Sequence, residues 1–245
     1  MLRGSRVLAG ALVGLALAVT ATSAQAAQVT LVGTDIDVTY DDTAAWLALY
    51  GTPTVTGNNI LLTPSGFDAE SLDGAGLQQT SSTLDLRIDA HAGMAFVSLF
   101  VLERGDYKLN GTGSSVGVAG SLGVDDTATS GATASDSSGL SSASDFTIND
   151  NTLHPWDANA TVAMVAPQWD GVTSIDVSFS NILSADTSSS PATAFIEKKF
   201  LGGATQLMVD MGGGGSIVPE PSAVFLVGSA LVGVVGLARR GVLKA

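Results

Sequence analysis

Between residues 27 and 217, apolar and polar positions alternate with a period of two in several separate stretches. Ile36, Val38 and Tyr40 share one phase, with Asp35, Asp37 and Thr39 in the other. Leu84, Leu86 and Ile88 alternate with Asp85, Arg87 and Asp89, and Ile175, Val177 and Phe179 alternate with Asp176, Ser178 and Ser180. Successive strand residues face opposite ways, so this pattern predicts strands with one buried and one wet face. Residues 94–102 are apolar with few breaks, which predicts a central strand buried on both faces. Further strands are expected at residues 28–32, 59–63, 115–124, 161–165, 193–198 and 205–209. Turn signals separate them at Gly57-Asn58, Ser65-Gly66, Asp73-Gly74, Gly105-Asp106, Asn110-Gly111 and Asp170-Gly171. Only residues 43–50 suit a short helix, with Trp46 and Leu49 on one side. The fold expected is all-β: a single β-sandwich (jelly-roll-like) domain over residues 27–211.

Residues 127–147 break the pattern. Eleven of these 21 residues are Ser or Thr, so the stretch offers little apolar surface to offset its ordering entropy. It is expected to be a mobile loop within the domain, with O-glycosylation as the functional alternative. Asn110-Gly111-Thr112 and Asn159-Ala160-Thr161 match the N-glycosylation sequon, a pattern that also arises by chance.

The two ends carry a different signature. Arg3 and Arg6 precede an apolar stretch from Val7 to Val19, and Ala24-Gln25-Ala26 supplies a small-x-small cleavage site. This order predicts a secretory signal peptide over residues 1–26, cut by signal peptidase. At the other end, a Gly-rich linker over residues 212–217 leads into Val218-Pro219-Glu220-Pro221. Residues 222–238 are apolar and uncharged, and Arg239-Arg240 follows. As a helix, this run would be roughly 25 Å long, near the lower limit for a bilayer span. Arg239, Arg240 and Lys244 would keep its end on the cytoplasmic side, leaving the body outside. A C-terminal transmembrane helix is therefore expected within a segment covering residues 218–245.

Pro219-Glu220-Pro221, the apolar run and Arg239-Arg240 together resemble the PEP-CTERM sorting signal. The resemblance implies a Gram-negative bacterium that makes exopolysaccharide. It also implies an exosortase-type membrane protease that recognises the Pro219-Glu220-Pro221 motif and cuts nearby. The inner membrane would hold the chain transiently before its body passed to the envelope, the surface or the matrix. The body resembles uncharacterised secreted β-domains that carry this tail, through Thr34-Asp35-Ile36-Asp37-Val38, residues 57–64 and Leu102-Glu103-Arg104-Gly105-Asp106-Tyr107. That second resemblance implies a β-domain and no activity.

Charge narrows the list of partners. The 245 residues include 23 acidic and 10 basic side chains, a net charge of −13. Between residues 27 and 218 there are 22 acidic side chains against five basic ones, a net of −17. Phosphate-backbone binding needs clustered Lys and Arg, so nucleic acid is not an expected partner. There is no cysteine. Disulfides, thiolate metal sites and cysteine nucleophiles are thereby excluded.

Four constellations could carry chemistry. Gly113-Ser114-Ser115-Val116-Gly117 matches Gly-x-Ser-x-Gly, and Asp125, Asp126 and His154 follow in hydrolase order. That elbow requires a strand before it and a helix after it, whereas a Gly-spaced strand is expected here. Glu103 and Asp106, beside Tyr107, form a candidate carboxylate pair for glycoside hydrolysis. The bland reading ends a buried strand at Glu103 and turns at Gly105-Asp106. Asp35, Asp37, Asp41 and Asp42 offer hard oxygen ligands for one structural Ca²⁺, although no EF-hand loop is present. Trp156 and Trp169, each followed by Asp, form candidate saccharide contacts if they lie exposed on loops; otherwise they close the core.

The expected function is an exported, non-enzymatic protein of the cell surface or exopolysaccharide matrix, with no cofactor beyond that candidate Ca²⁺. A carbohydrate-binding module of the matrix is the alternative, and a secreted glycoside hydrolase is the third.

Overall fold

The computed structural model describes residues 27–127, 134–199 and 205–213. The signal peptide expected at residues 1–26, with Ala24 and Ala26, lies outside the described residues. So does the sorting segment with Pro219, Glu220, Pro221, Arg239 and Arg240. No helix among the described residues is long and apolar enough to cross a membrane.

The described chain is all-β, built as two antiparallel sheets. The six-stranded sheet has the order β1 (Gln28–Val32), β2 (Ile36–Asp41), β6 (Gln78–Ala90), β12 (Ser174–Thr187), β8 (Ser114–Asp126), β9 (Ser135–Gly139). The eight-stranded sheet runs β10 (Ser141–Ser142), β11 (His154–Ala163), β7 (Met94–Asn110), β14 (Thr205–Gly213), β4 (Asn59–Leu62), β3 (Thr54–Thr56). Two further strands complete it: β13 (Thr193–Lys198) pairs with the far half of β7 and with β5 (Asp68–Leu72). One short helix, α1 (Leu47–Tyr50), lies between β2 and β3.

Alternation places the core. In β2, Ile36, Val38 and Tyr40 are buried while their neighbours are half-exposed. Leu84, Leu86 and Ile88 of β6 and Ile175, Val177 and Phe179 of β12 point the same way. Against them stand Leu99, Val101, Tyr107 and Leu109 of β7, with Ala158, Ala160 and Val162 of β11, in one continuous apolar cluster. Trp46 and Tyr50 bring α1 onto this cluster, with Trp46 tilted against Tyr40 at 5.8 Å.

Several sequence expectations change. The strand expected at residues 94–102 runs for 17 residues and carries inward and outward faces rather than two buried ones. Gly105-Asp106 is not a turn but the interior of β7, paired with β11 and β13. The expected helix shrinks to four residues. Part of the 127–147 segment is ordered: β9 pairs with β8, and Ser141 and Ser142 pair with β11. Residues 128–133 lie outside the described part. Two linker glycines, Gly212 and Gly213, extend β14 and pair with Ala95 and Met94. β3 and β5 lack a strong alternating signal and form because β4 and β13 offer edges to pair with.

Gly105 shows how closely the sheets fit. A β-carbon there would sit 1.8 Å from the Glu197 carbonyl oxygen and 2.7 Å from Trp156 Nε1. Both neighbours belong to strands flanking β7, so neither can withdraw without breaking a ladder. We expect Gly105→Ala to lower folding stability by about 3 kcal/mol, the upper range for overpacking a core. A chemical-denaturation midpoint within error of the parent would contradict this placement.

Candidate functional site

The sequence-derived candidates do not assemble into surface sites. Trp156 and Trp169 are only 2% and 6% exposed. Trp156 fills the slot that Gly105 leaves opposite it, and its indole N–H donates to the Glu197 carbonyl at 3.1 Å. Trp169 folds inward from the turn that follows β11. Neither ring offers a face to a sugar, so the expected saccharide contact at these residues is corrected. Trp156 beside Asp157 reflects inward-outward alternation along β11, and Trp169 beside Asp170 a turn that tucks the ring inward and leaves the carboxylate exposed.

The carboxylates expected at a Ca²⁺ site are engaged separately. Asp35 accepts from Asn58 Nδ2 at 2.8 Å, and Asp37 meets His91 Nε2 at 3.0 Å. Asp41 accepts from the Thr43 backbone and hydroxyl at 2.7 and 2.6 Å. Asp42 lies in the turn after β2. Among the described residues, no group of three or more His, Asp or Glu side chains converges as metal ligands.

The hydrolase candidates also separate. Ser115 sits within β8, opposite Asp186, and not on a strained elbow. Asp125 lies ten residues further along the same strand, about 33 Å away at strand rise. His154 is held elsewhere, with Nε2 2.9 Å from Asp150 Oδ1 and 2.9 Å from Thr152 Oγ1. Glu103 and Asp106 are three residues apart on one strand and so face opposite sides of the sheet. Asp106 pairs outside with Lys199, while Glu103 points into the core.

Glu103 opens onto the most unusual chemistry in the molecule. In β7 it occupies the inward phase shared by Val101, Gly105 and Tyr107. Lys198 holds the inward phase of β13 after Ala194 and Ile196, and Asn181 holds that of β12 between Phe179 and Leu183. All three are buried: Glu103 and Asn181 have no exposed surface, and Lys198 is 4% exposed. Lys198 Nζ pairs with Glu103 Oε1. Asn181 Nδ2 donates to Glu103 Oε2 at 2.5 Å. The carboxylate thus bridges a lysine from the neighbouring strand of its own sheet, itself flanked by β5 and β7, and an asparagine from the middle of the other sheet.

Aromatic rings enclose the cluster. Lys198 Nζ lies 3.9 Å from the centre of the Phe67 ring, 4.5 Å from that of Tyr50 and 5.8 Å from that of Phe179. It also donates to the Tyr50 hydroxyl at 3.3 Å. Among the described residues, two buried side-chain polar atoms have no partner: Asn181 Oδ1 and the hydroxyl of Thr205, which sits directly across the ladder from Glu103. Such a setting disfavours charge. Burial pushes the Lys198 amine down to about 8, against the attraction of Glu103. Burial likewise raises the Glu103 carboxyl, against Lys198 and Asn181. The Tyr50 hydroxyl is raised by burial and by Glu103. Both members of the pair are therefore driven toward their neutral forms.

On the outside, a shallow groove of about 410 Å³ crosses the six-stranded sheet, lined by Thr39, Asp41, Asp85, Arg87, Asp125 and Asp176 among others. Arg87 stands across from Asp176, whose other neighbour is Asp125, and so offsets part of that like-charge contact.

The chain matches no known protein-family model and shows no significant similarity to any curated protein.

His91 and Asp150 give pH predictions of opposite sign. Hydrogen bonding to Asp37 raises His91 above its ordinary 6.5. Its contribution to stability is fully present below 6.5 and is lost as pH rises through the raised value. Hydrogen bonds from His154 and Thr152 lower Asp150 from 3.8 to about 2. Its contribution is present above 3.8 and is lost as pH falls through about 2. NMR titration should show Asp37→Asn moving His91 back toward 6.5. A His91 titration unaffected by that substitution would contradict the contact.

Proposed function

We propose that this protein is an exported, non-enzymatic component of the cell surface or exopolysaccharide matrix. The ordered C-terminal signature carries this reading: Pro219-Glu220-Pro221, an apolar run, then Arg239-Arg240, preceded at the other end by a signal peptide with a cleavage site at Ala24-Gln25-Ala26. In this proposal, signal peptidase removes residues 1–26 and the apolar tail holds the body at the outer side of the inner membrane. An exosortase-type protease then releases it near Pro219-Glu220-Pro221. The body is a single jelly-roll-like wrap in which the successive strands β6, β7 and β8 alternate between sheets.

The outer face of the six-stranded sheet supports this role. Asp176, Ser178, Ser180 and Ser184 of β12 face outward, flanked by Ser81, Thr83 and Asp85 of β6 and by Ser121 and Asp125 of β8. Ser121 and Ser180 share a hydrogen bond of 2.9 Å across the ladder. A face of hydroxyls and carboxylates stays hydrated within a polysaccharide gel and repels other polyanions. The carbohydrate-binding alternative relied on Trp156 and Trp169, which lie in the core, and is not carried further.

Intact mass of the native protein from membrane, surface and medium fractions tests the proposal. We expect a chain beginning at Ala27 and ending near residues 218–221 in the surface or medium fraction. A chain extending to Ala245 and confined to the membrane would replace release with a permanent tether. A cytoplasmic full-length chain would overturn the proposal.

A further inference from the structure

We infer that Lys198 and Asn181 are joined in the mature protein by an intramolecular isopeptide bond, formed spontaneously in the core with Glu103 as proton carrier. The inference rests on the buried cluster alone and stands whether or not the export reading holds.

A lone Lys–Glu pair deep in a core stabilises little, because desolvation offsets the attraction. This cluster adds features that a structural ion pair does not need. A primary amine and a carboxamide, the two reactants of a transamidation, meet on the two oxygens of one carboxylate. Asn181 Oδ1 and the Thr205 hydroxyl remain unpartnered in a place where native cores satisfy such atoms. Three aromatic rings surround the amine and the cluster is shut off from bulk solvent, so hydrolysis cannot compete. The depressed basicity of Lys198 and the raised basicity of Glu103 favour the neutral amine that must attack.

The step balances without an added reagent. The Lys198 ammonium gives one proton to Glu103 and becomes an amine. Its lone pair attacks Asn181 Cγ, forming the Nζ–Cγ bond and moving charge to Oδ1. Through its carboxyl group, Glu103 takes a second proton from Nζ and delivers one to Nδ2, which it already touches. Collapse breaks the Cγ–Nδ2 bond and ammonia leaves. The products are a secondary amide, ammonia and a protonated Glu103, a neutral set in a site that resists charge. Nothing is oxidised or reduced. Glu103 is the catalytic residue, since it contacts both reacting nitrogens; Tyr50 and Phe67 position the amine.

The bond would link β13 of one sheet to β12 of the other, a covalent staple through the middle of the sandwich. Mass spectrometry of the folded full chain, with its ends read from the same spectrum, tests it. The expected mass is one ammonia (about 17 Da) below that of the sequence between those ends. Cleavage before aspartate should yield residues 176–185 covalently joined to residues 186–209. Lys198→Arg and Glu103→Gln should restore the unmodified mass, whereas Asn181→Asp should still react, losing water in place of ammonia. Separate, unmodified peptides from soluble folded wild-type protein would overturn the inference, even if a variant failed to fold.

Discussion

Burial of Lys198 against Glu103 is the constraint that the rest of the sandwich must satisfy. A charged pair in an apolar interior is tolerated only when both partners arrive together and their remaining hydrogen-bonding capacity is met. Here the partners come from β7 and β13, which are adjacent in one sheet, and Asn181 comes from β12 in the other. A slip of one residue in any of these strands would turn its polar member to the outer face and leave the others stranded. The cluster therefore selects one register for three strands at once. Aromatic packing supports it, with the Tyr50 and Phe67 rings meeting edge to face at 5.2 Å.

Much of the fold was legible because alternation is a direct imprint of strand geometry. β1 and β13 were found with their bounds intact, and the core phases of β2, β6 and β12 were read correctly. Errors arose where a local signal competed with a tertiary one. Gly105-Asp106 looks like a turn in isolation, but the glycine is there because the Trp156 indole needs its side-chain volume. Ser-rich residues 135–139 lack a hydrophobic reason to form a strand; β9 exists because β8 presents an open edge.

The candidate site was less legible, for a related reason. Functional reading of a sequence seeks exposed polar groups near turns, and those were the residues singled out. The polar residues with the strongest mutual chemistry lie in the apolar phase of long strands. Their signal was present: Asn181 interrupts the series Val177, Phe179, Leu183, while Lys198 closes the series Ala194, Ile196. Reading it requires the strand bounds first: Glu103 pairs with Asp106 in the sequence reading because the strand is taken to stop there, whereas β7 continues to Asn110 and turns the two carboxylates to opposite faces. No single-sequence pattern brings three such interruptions to one point; sheet pairing does.

The order of strands has a consequence for how separate copies of the chain can meet. The longest strands, β6, β7, β8 and β12, with 13 to 17 residues each, occupy interior positions. Of the marginal strands, β3, β9 and β10 have three, five and two residues, almost all Ser, Thr, Asp or Gly, whereas β1 (Gln-Val-Thr-Leu-Val) and β5 also end on an open side. Open backbone donors and acceptors at a sheet margin are templates for another chain to add on, and short hydrophilic margins give an incoming strand little to grip. The longest strands are thus paired on both sides, while β1, with Val29, Leu31 and Val32, is paired on one side only among the described residues. A second chain adding to the six-stranded sheet would therefore find its best apolar grip at β1 and little at β9 on the opposite margin.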